Sequence, residues 1–342
     1  MHNKFKIRLL FWAILSITLL LGCVSKKNIK IPLSDPMPHP KLAQMQSLSI
    51  EEKDGVIYFG ESKKYQKRGI TVVLLKGEPY EMGYARGVIL KKEIRDSVRD
   101  FLYQLNVRSF GTSIGENLLK KRAKEVEGFI PAEYKEELRG LSAGSNMDYE
   151  ILLIRNVLVT VASQFACTSV VVRSSDGSLL RSRNLDLSWK PPLPAGLYIC
   201  KPTNGFSFVS ISHYPELIGT RTALNEKGLN FGEHDIGRAS KRYVKGKPEL
   251  ILRREVIQYA GSVFEAGEIL NDARRTVPKM WLVADTKTAG VYEYTNREVA
   301  FNEMVEDQLI LTNHTRNFQG RYFGLLDCHR ASSGNQRKMG WL

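Results

Sequence analysis

Residues 167–186 read CTSVVVRSSDGSLLRSRNLD, and this stretch decides the fold. The β-branched run after Cys167 predicts a strand over 168–173. Residues 174–177 end in Asp-Gly, a strong hairpin-turn signal, and residues 178–184 form the returning strand. A turn here pairs residues whose numbers sum to about 353, so Cys167 is predicted to lie opposite residue 186.

That register gives the hairpin a chemical interpretation. Arg183 and Asp186 lie 16 and 19 residues beyond Cys167, and the hairpin returns both to the neighbourhood of its sulfur. A thiol, with an ordinary pKa of about 8.5, becomes a better nucleophile when nearby positive charge stabilises the thiolate. The pattern alone also fits a buried core cysteine beside a surface ion pair, so both interpretations stay open at this point.

Upstream of the hairpin, residues 80–163 are predicted to be mainly helical. A strand over 70–75 comes first, and a helix then starts near Tyr80. Its apolar residues recur at helical spacing on one face: Leu90, Ile94, Val98, Phe101 and Leu105. Gly83 and Gly87, four apart near its start, permit close backbone packing. A second helix is expected over 131–141, and a third after Asp148 as its N-cap.

Downstream of the hairpin, short apolar runs predict further strands. They cover residues 206–212, 219–224, 281–284, 291–294 and 309–312. Helices are expected between them, over 249–259 and 263–276. The order of strands, two helices and strands again predicts a layered α+β domain.

The N-terminus has the pattern of a bacterial export signal. Residues 2–8 are basic, and the apolar run over 9–21 is short for a membrane span. The run stops at Gly22-Cys23, which is similar to a lipobox. We therefore predict a signal peptide over 1–22 and an acylated Cys23 that anchors the exported protein to a membrane of the cell envelope; an uncleaved anchor helix is the alternative.

Residues 23–68 are predicted to be a lipidated tether. Four prolines fall within nine residues, at Pro32, Pro36, Pro38 and Pro40. Proline favours extended, non-helical chain, which suits a spacer between a bilayer and a folded domain.

Composition excludes some classes of protein. The 342 residues are 43% hydrophobic and 25% charged, which is typical of a globular chain that can bury a sizeable core. The net charge is +14, but the basic residues are dispersed and form no nucleic-acid-binding motif, so we expect no nucleic-acid partner. Six scattered histidines show no metal-ligand spacing, so no metal or cofactor is expected. Oligomeric state stays open.

The hairpin and several landmarks in order resemble the cysteine N-terminal-nucleophile (Ntn) hydrolases: the choloylglycine hydrolase, acid ceramidase and penicillin acyltransferase-like families. Residues 77–87 resemble the propeptide start of the last branch, and residues 224–229 resemble a family loop. Residues 312–314 resemble the strand end that supplies an oxyanion-hole asparagine. The resemblance covers roughly residues 70–337.

This resemblance implies an αββα sandwich over 167–342 with a mainly helical, propeptide-like segment over 69–166. It implies a chain that cuts itself between Ala166 and Cys167 and then hydrolyses linear amides through a thioester. N-acyl amides or conjugated bile-acid-like small molecules are the expected substrates. Acyl transfer of the penicillin acyltransferase type and a non-catalytic, ligand-binding lipoprotein are the alternatives.

The resemblance also assigns roles. Cys167 would be the nucleophile and its freed α-amine the general base, Asp186 would hold the α-ammonium, Arg183 would support the thiolate, and Asn313 would donate to the oxyanion. Weaker candidates for substrate binding are Asn184, Asn225, Asp235 and Arg337.

Other residues leave alternatives open. His234 or His314 would be required by a papain-like thiol protease, but structural histidines are expected, because an N-terminal nucleophile needs none. Cys200 and Cys328 are either free thiols or a disulfide. The end at Leu342 suggests a C-terminally shortened core, with residues 333–337 as a late Ser/Arg element.

Overall fold

The computed structural model describes residues 29–108, 114–162, 165–187, 195–213, 221–236 and 245–318. The predicted signal peptide, Cys23, Cys328 and Arg337 lie outside these residues. No helix in the described ranges is both long and apolar enough to cross a bilayer.

The described helices fall in two groups along the chain. Before the hairpin come α1 (Leu42–Ser47), α2 (Pro79–Ile89), α3 (Lys91–Arg108), α4 (Ile114–Glu127), α5 (Ala132–Ser145) and α6 (Tyr149–Ala162). After it come α7 (Glu249–Tyr259) and α8 (Val263–Asp272). The predicted helix over 80–105 is two helices that meet at Leu90, and its apolar face is confirmed where Ile94 and Val98 are fully buried. Asp148 is confirmed as a cap, because its Oδ1 accepts from the Ile151 amide at 3.1 Å.

The strands form a large and a small sheet. In spatial order, the large sheet contains β1 (Ile50–Lys53), β2 (Val56–Phe59), β3 (Ser62–Lys67), β4 (Ile70–Gly77), β7 (Ala195–Pro202), β8 (Phe208–His213), β9 (Thr222–Asn225), β10 (Asn230–His234), β11 (Lys279–Ala284), β12 (Ala289–Tyr294) and β13 (Val299–Glu303). The small sheet has the order β14 (Gln308–Leu311), β5 (Phe165–Arg173) and β6 (Leu179–Leu187).

The expected tether over 23–68 is corrected wherever the structure describes it. Ile29 and Ile31 pack against buried apolar residues, and the Pro32 carbonyl accepts from the Asp148 amide at 3.2 Å. Residues 42–67 form α1 and the antiparallel strands β1 to β3 of the large sheet. Asp54 and Gly55, both with positive φ, make the tight turn between β1 and β2. This Asp-Gly pair is a hairpin signal, whereas proline stiffens the chain only over residues 32–40.

Two apolar cores define the layers. One lies between the helices and the large sheet and contains Trp281, Phe231 and Leu138. The other lies between the two sheets, where Val171 and Leu309 of the small sheet join residues such as Leu282 of the large one. Alternating side chains let one sheet serve both cores. The predicted α+β sandwich fold is confirmed; within the described residues, the outer face of the small sheet is exposed.

The segment that precedes Cys167 is built into this sandwich. Strand β4 pairs in parallel with β7, which follows the hairpin, over seven residue pairs from Thr71↔Gly196 to Gly77↔Pro202. The segment therefore supplies both helices and four strands of the large sheet, so it forms part of the folded body.

Helices α2 and α5 pack with their backbones in close approach, as the glycine spacing predicts. A Cβ atom on Gly83 would lie 1.9 Å from the Glu137 carbonyl oxygen. One on Gly140 would lie 2.1 Å from the Tyr80 carbonyl oxygen. The two backbones approach so closely that a methyl group at either position has no room.

We predict that Gly140→Ala lowers the free energy of unfolding by roughly 1–3 kcal/mol or more, because the helices must separate to accept the methyl group. Gly128 is a matched control, since a Cβ there meets nothing within 4 Å. Gly128→Ala should leave stability unchanged within about 0.5 kcal/mol. Urea unfolding followed by circular dichroism measures both variants, and equal stabilities would contradict the packing described here.

Candidate active site

Cys167 lies on β5 with its side chain between the two sheets, and it is 3% exposed. Its structural partner across the hairpin is Leu185, and Asp186 lies opposite Ala166. The predicted register was wrong by one residue. Because residues opposite each other share a face, Asp186 projects from the other side of the small sheet.

Asp186 is therefore exposed beside the peptide bond that precedes Cys167, rather than beside the sulfur. Asn184, two residues earlier on the same face, donates from Nδ2 to Asp186 Oδ1 at 2.8 Å. Asp186 and its hydrogen-bond partner Asn184 therefore lie next to the peptide bond between residues 166 and 167.

Arg183 lies on the same face as Cys167 and reaches its sulfur. Arg183 Nη2 is 3.5 Å from Cys167 Sγ and 2.5 Å from the Glu233 carbonyl oxygen. Its Nη1 donates to the Arg221 carbonyl oxygen at 3.1 Å and to Thr222 Oγ1 at 2.7 Å. Burial lowers the pKa of Arg183, while the Cys167 sulfur and the Glu233 carboxylate oppose that shift. The guanidinium remains a cation, which links the thiol on the small sheet to strands β9 and β10 of the large one.

Gly232 makes room for this guanidinium. A Cβ on Gly232 would lie 2.7 Å from Arg183 Cδ and 1.9 Å from Arg181 Nη2. Arg181 lies deeper between the sheets and donates to Asn230 Oδ1 at 3.2 Å. Its burial lowers its pKa to about 9. The Arg181 and Arg183 side chains can therefore both lie between the two sheets, because residue 232 has no side chain.

The Cys167 thiol is not activated in the intact chain. Burial raises its pKa, and the nearby Arg183 cation only partly opposes that effect. The thiol is consequently protonated at neutral pH, so nucleophilic chemistry here needs a base.

Asn313 lies beside Cys167, where it bridges two backbone groups. The Cys167 amide donates to Asn313 Oδ1 at 2.7 Å. Asn313 Nδ2 donates to the Asp235 carbonyl oxygen at 2.8 Å. In this chain with its 166–167 bond intact, the side chain therefore holds the nitrogen of the nucleophile residue.

Glu233 is the residue that the sequence-based search missed. Its side chain is buried, and its carboxylate contacts Arg253 at 2.9 Å, Arg221 at 3.3 Å and Lys279 at 3.7 Å. Burial raises the pKa of Glu233, but these cations outweigh it and hold the pKa well below its usual range. The carboxylate fixes β10, whose Glu233 carbonyl accepts from Arg183, while the Asp235 carbonyl just after the strand accepts from Asn313. In the sequence, the available signal for this role was a single charged residue, Glu233, within an otherwise uncharged short strand.

His234 has a structural role in this arrangement. Its Nε2 lies 2.8 Å from Ser169 Oγ, a hydrogen bond that joins the two sheets. Burial, with Arg183 and Arg181 nearby, lowers its pKa to about 3, so the imidazole is neutral. His314 is exposed and its Nδ1 lies 2.9 Å from Thr312 Oγ1. Both imidazole rings are hydrogen-bonded to hydroxyl groups, which favours the predicted structural role of these histidines.

The weaker candidates lie in different places. Asn225 donates to the carbonyls of Ile257 and Ala260 and accepts from two loop amides, so its amide organises a buried loop. The Asp235 carboxylate pairs with Lys279. Cys200 is a buried free thiol in the helix-side core.

The described residues contain no cluster of three or more His, Cys, Asp or Glu side chains suited to a metal ion.

The C-terminal half of the chain is similar to one known protein family. Residues 172–336 match the model of the family described as acyl-coenzyme A:6-aminopenicillanic acid acyl-transferase. The match begins five residues after Cys167, so it covers most of the hairpin, the strand that carries Glu233, and Asn313 two residues after β14.

Individual relatives are more distant. A protein of Archaeoglobus fulgidus described as uncharacterized is 28% identical over 253 residues, which are 64% of this chain and 42% of the relative. Protein dcd1B of Dictyostelium discoideum is 25% identical over 60% of this chain and 46% of its own. An N-acylethanolamine-hydrolyzing acid amidase of Cavia porcellus is 40% identical over 70 residues, 20% of this chain and 19% of its own. The chain thus spans about half the length of the first two relatives.

Solved structures give weak matches. A conjugated bile acid hydrolase from Clostridium perfringens aligns with a TM-score of 0.33 and 16% identity, over 42% of this chain and 52% of that one. A penicillin V acylase from Agrobacterium tumefaciens aligns with a TM-score of 0.23 and 12% identity, over 41% and 42%.

We predict that Gly232→Ala displaces Arg183 and raises the pKa of the Cys167 thiol. The thiol loses a charge-assisted contact worth roughly 1.5–3 kcal/mol, so its alkylation rate near neutral pH should fall about tenfold or more. The pH profile of iodoacetamide alkylation should shift to higher pH, because a raised pKa delays thiolate formation. Gly261→Ala, whose Cβ would meet only ordinary contacts from 3.4 Å, is the control. An unshifted profile would contradict this role of Gly232.

Proposed function

We propose that the chain is a self-processing cysteine hydrolase of linear amide bonds, of the N-terminal-nucleophile type, and the family match over residues 172–336 supports this. One observation carries the proposal: Cys167 is held at both of its reactive atoms. Arg183 contacts the sulfur, and Asn313 accepts from the nitrogen. A general base that is a residue's own α-amine requires this pairing of fixed sulfur and fixed nitrogen.

The first step is proposed to be cleavage of the Ala166–Cys167 bond. Cys167 Sγ attacks the Ala166 carbonyl carbon, the C–N bond to Cys167 breaks, and the thiol proton passes to the Cys167 nitrogen, so the acyl group moves from nitrogen to sulfur. Water then hydrolyses the thioester, which leaves a carboxylate on Ala166 and a free α-amine on Cys167. Asp186, which pairs with Ala166 across the hairpin, is proposed to hold the new ammonium group.

The mature enzyme then acts on its substrate. The α-amine, with an ordinary pKa of about 7.7–8.0, accepts the thiol proton, and the thiolate attacks the substrate carbonyl. The ammonium returns a proton to the leaving amine, and water hydrolyses the thioester. Arg183 stabilises the thiolate that burial disfavours. Asn313 Nδ2 would serve the oxyanion once it leaves the Asp235 carbonyl.

The substrate is proposed to be a small N-acyl amide. The acid amidase relative is named for hydrolysis of N-acylethanolamines, and the matched family is described as an acyl-transferase. The family description supports acyl transfer as the second candidate, in which an amine replaces water at the thioester.

We also propose that the protein is exported and lipid-anchored at Cys23. Ile29, six residues after Cys23, already packs against the helix-side core, so the folded body would lie close to the membrane surface. Labelling of cells with a radioactive fatty acid should mark the protein. Cys23→Ser should remove both the label and the membrane association, and a labelled Cys23→Ser variant would contradict the anchor.

We predict that Cys167→Ala abolishes hydrolysis of chromogenic N-acyl amides. Cys200→Ala is the matched control, because Cys200 is also a buried free thiol but lies in the helix-side core. Arg183→Lys should lower kcat/KM by about 10-fold to 100-fold, since the four contacts of the guanidinium cannot all be kept. Release of the coloured amine measures each rate. Full activity in Cys167→Ala, or equal losses at Cys167 and Cys200, would refute the proposal.

A further inference from the structure

Lys279 is a buried cation that the proposed mechanism does not use. It is the first residue of β11, and only 4% of its side chain is exposed. Its Nζ contacts the Asp235 carboxylate and lies 3.7 Å from Glu233 Oε2. Burial of a lysine is costly unless its charge is balanced, and the two carboxylates supply that balance. The three side chains therefore form one ionic cluster where β10 ends and β11 begins.

The register of β10 and β11 explains why Lys279 meets Asp235. The ladder between these strands ends at His234↔Met280. One step beyond it, residues 235 and 279 lie opposite each other, so their side chains leave the sheet on the same face. That face is the helix side, because Trp281, two residues along β11, lies in the helix-side core. The ion pair therefore joins β10 to β11 at the point where the backbone ladder stops.

The peptide bond between Asp235 and Ile236 is held from both sides of the sheet. Lys279 fixes the Asp235 side chain on the helix side, whereas Ile236 is buried in the inter-sheet core. A peptide unit is planar, so anchors on the residues at both of its ends restrict the direction of its carbonyl. This carbonyl accepts from Asn313 Nδ2 at 2.8 Å. Its direction therefore decides where the Asn313 amide lies.

Asn313 carries this constraint to the nucleophile. Its Oδ1 accepts from the Cys167 amide at 2.7 Å. The amide group of the side chain is planar, so an asparagine that is held at Nδ2 has a restricted Oδ1 as well. Three contacts in series thus connect Lys279 on β11, Asp235 after β10, Asn313 after β14 and Cys167 on β5. The series ends on the nitrogen that becomes the general base in the proposed mechanism.

We propose that Lys279 is a positioning residue for the Cys167 nitrogen. It acts through the Asp235 carbonyl and the Asn313 amide, and it does not touch the substrate. This inference deepens the proposed function and rests on it. In the intact chain the series of contacts orients the bond that is to be cut, and in the processed chain it keeps the α-amine within reach of the thiol. Loss of Lys279 should therefore lower kcat and slow self-cleavage, with little change in KM.

A double-mutant cycle between Lys279 and Asn313 tests this role. Lys279→Met should lower kcat for a chromogenic N-acyl amide about tenfold, expressed per processed chain, with KM within about twofold. Asn313→Ala should cost more, and Lys279→Met should add less than about twofold in that background, because residues that act as a unit are not additive. Losses that multiply would overturn the proposal, since a general weakening of the fold acts independently of Asn313.

Two further variants complete the cycle. Lys64→Met is the matched control, because Lys64 pairs with Glu93 at 2.9 Å and lies on β3, five strands from β10 in the large sheet. It should leave kcat unchanged within about twofold. Asp235→Asn keeps the carbonyl and the side-chain size but weakens the ion pair, so kcat should fall about threefold, and only while Asn313 is present. This variant carries the same cycle if Lys279→Met does not fold, and a loss that persists in the Asn313→Ala background would contradict the role.

Hydrogen exchange separates this inference from the catalytic one. In Cys167→Ala, which cannot cleave itself, the amide of residue 167 keeps its bond to Asn313. Addition of Lys279→Met should speed exchange of that amide about tenfold, read by mass spectrometry of peptic peptides, while a peptide around Cys200 stays unchanged. Equal acceleration in both peptides would show general unfolding and contradict the role.

The two measurements together assign any failure. Faster exchange at residue 167 in the variant, without amide hydrolysis by the unaltered protein, would support the positioning role and refute the proposed function. Amide hydrolysis with losses that multiply and with unchanged exchange would do the reverse.

Discussion

The buried Arg183 guanidinium is the interaction on which the candidate site depends. It contacts the nucleophile on the small sheet, one oxygen atom each on β9 and β10 of the large sheet, and the carbonyl oxygen of Arg221 just before β9. A guanidinium between two sheets is costly to bury unless its donors are satisfied and its charge is balanced. Gly232 supplies the space, and Glu233 supplies negative charge nearby. Strand β10 therefore positions the Arg183 guanidinium, and the guanidinium in turn contacts the Cys167 thiol.

The segment that precedes Cys167 also supports the site, because it forms part of the large sheet and of its helix layer. Strand β4 lies inside the large sheet, and the buried Glu137 on α5 contacts Arg254 on α7 at 2.9 Å and Arg86 on α2 at 3.8 Å. Removal of one partner from such a buried cluster is strongly destabilising. Cleavage at Ala166 would therefore leave two chains within one folded body, and the site would keep its support after processing.

Much of this arrangement could be predicted from local patterns. The hairpin, the helices around Ile94 and after Asp148, and the strand before Asn313 all follow from periodicity and turn chemistry. The register error at Asp186 arose because a hairpin loop can gain or lose one residue without a change in its sequence signal, and a slip of one reverses every side chain. The Asp186 position decides whether that carboxylate faces the sulfur or the scissile bond.

Other features depend on contacts between residues far apart in the chain, which one sequence does not reveal. The prolines at 32–40 led to the prediction of an extended tether where strands β1 to β3 follow, although Asp54-Gly55 is a turn signal between β1 and β2. Glu233 is an ordinary acid in the sequence, and its role appears only when Arg221, Arg253 and Lys279 converge on it.

The central claim is that Cys167 becomes the first residue of a mature chain. The most direct measurement is the intact mass of the purified protein, with the N-terminal sequence of each fragment under denaturing conditions. We expect two fragments that co-purify in native buffer, one that ends at Ala166 and one that begins with Cys-Thr-Ser at residue 167. Cys167→Ala should remain a single chain. A fully active protein whose bond between residues 166 and 167 stays intact would contradict the account.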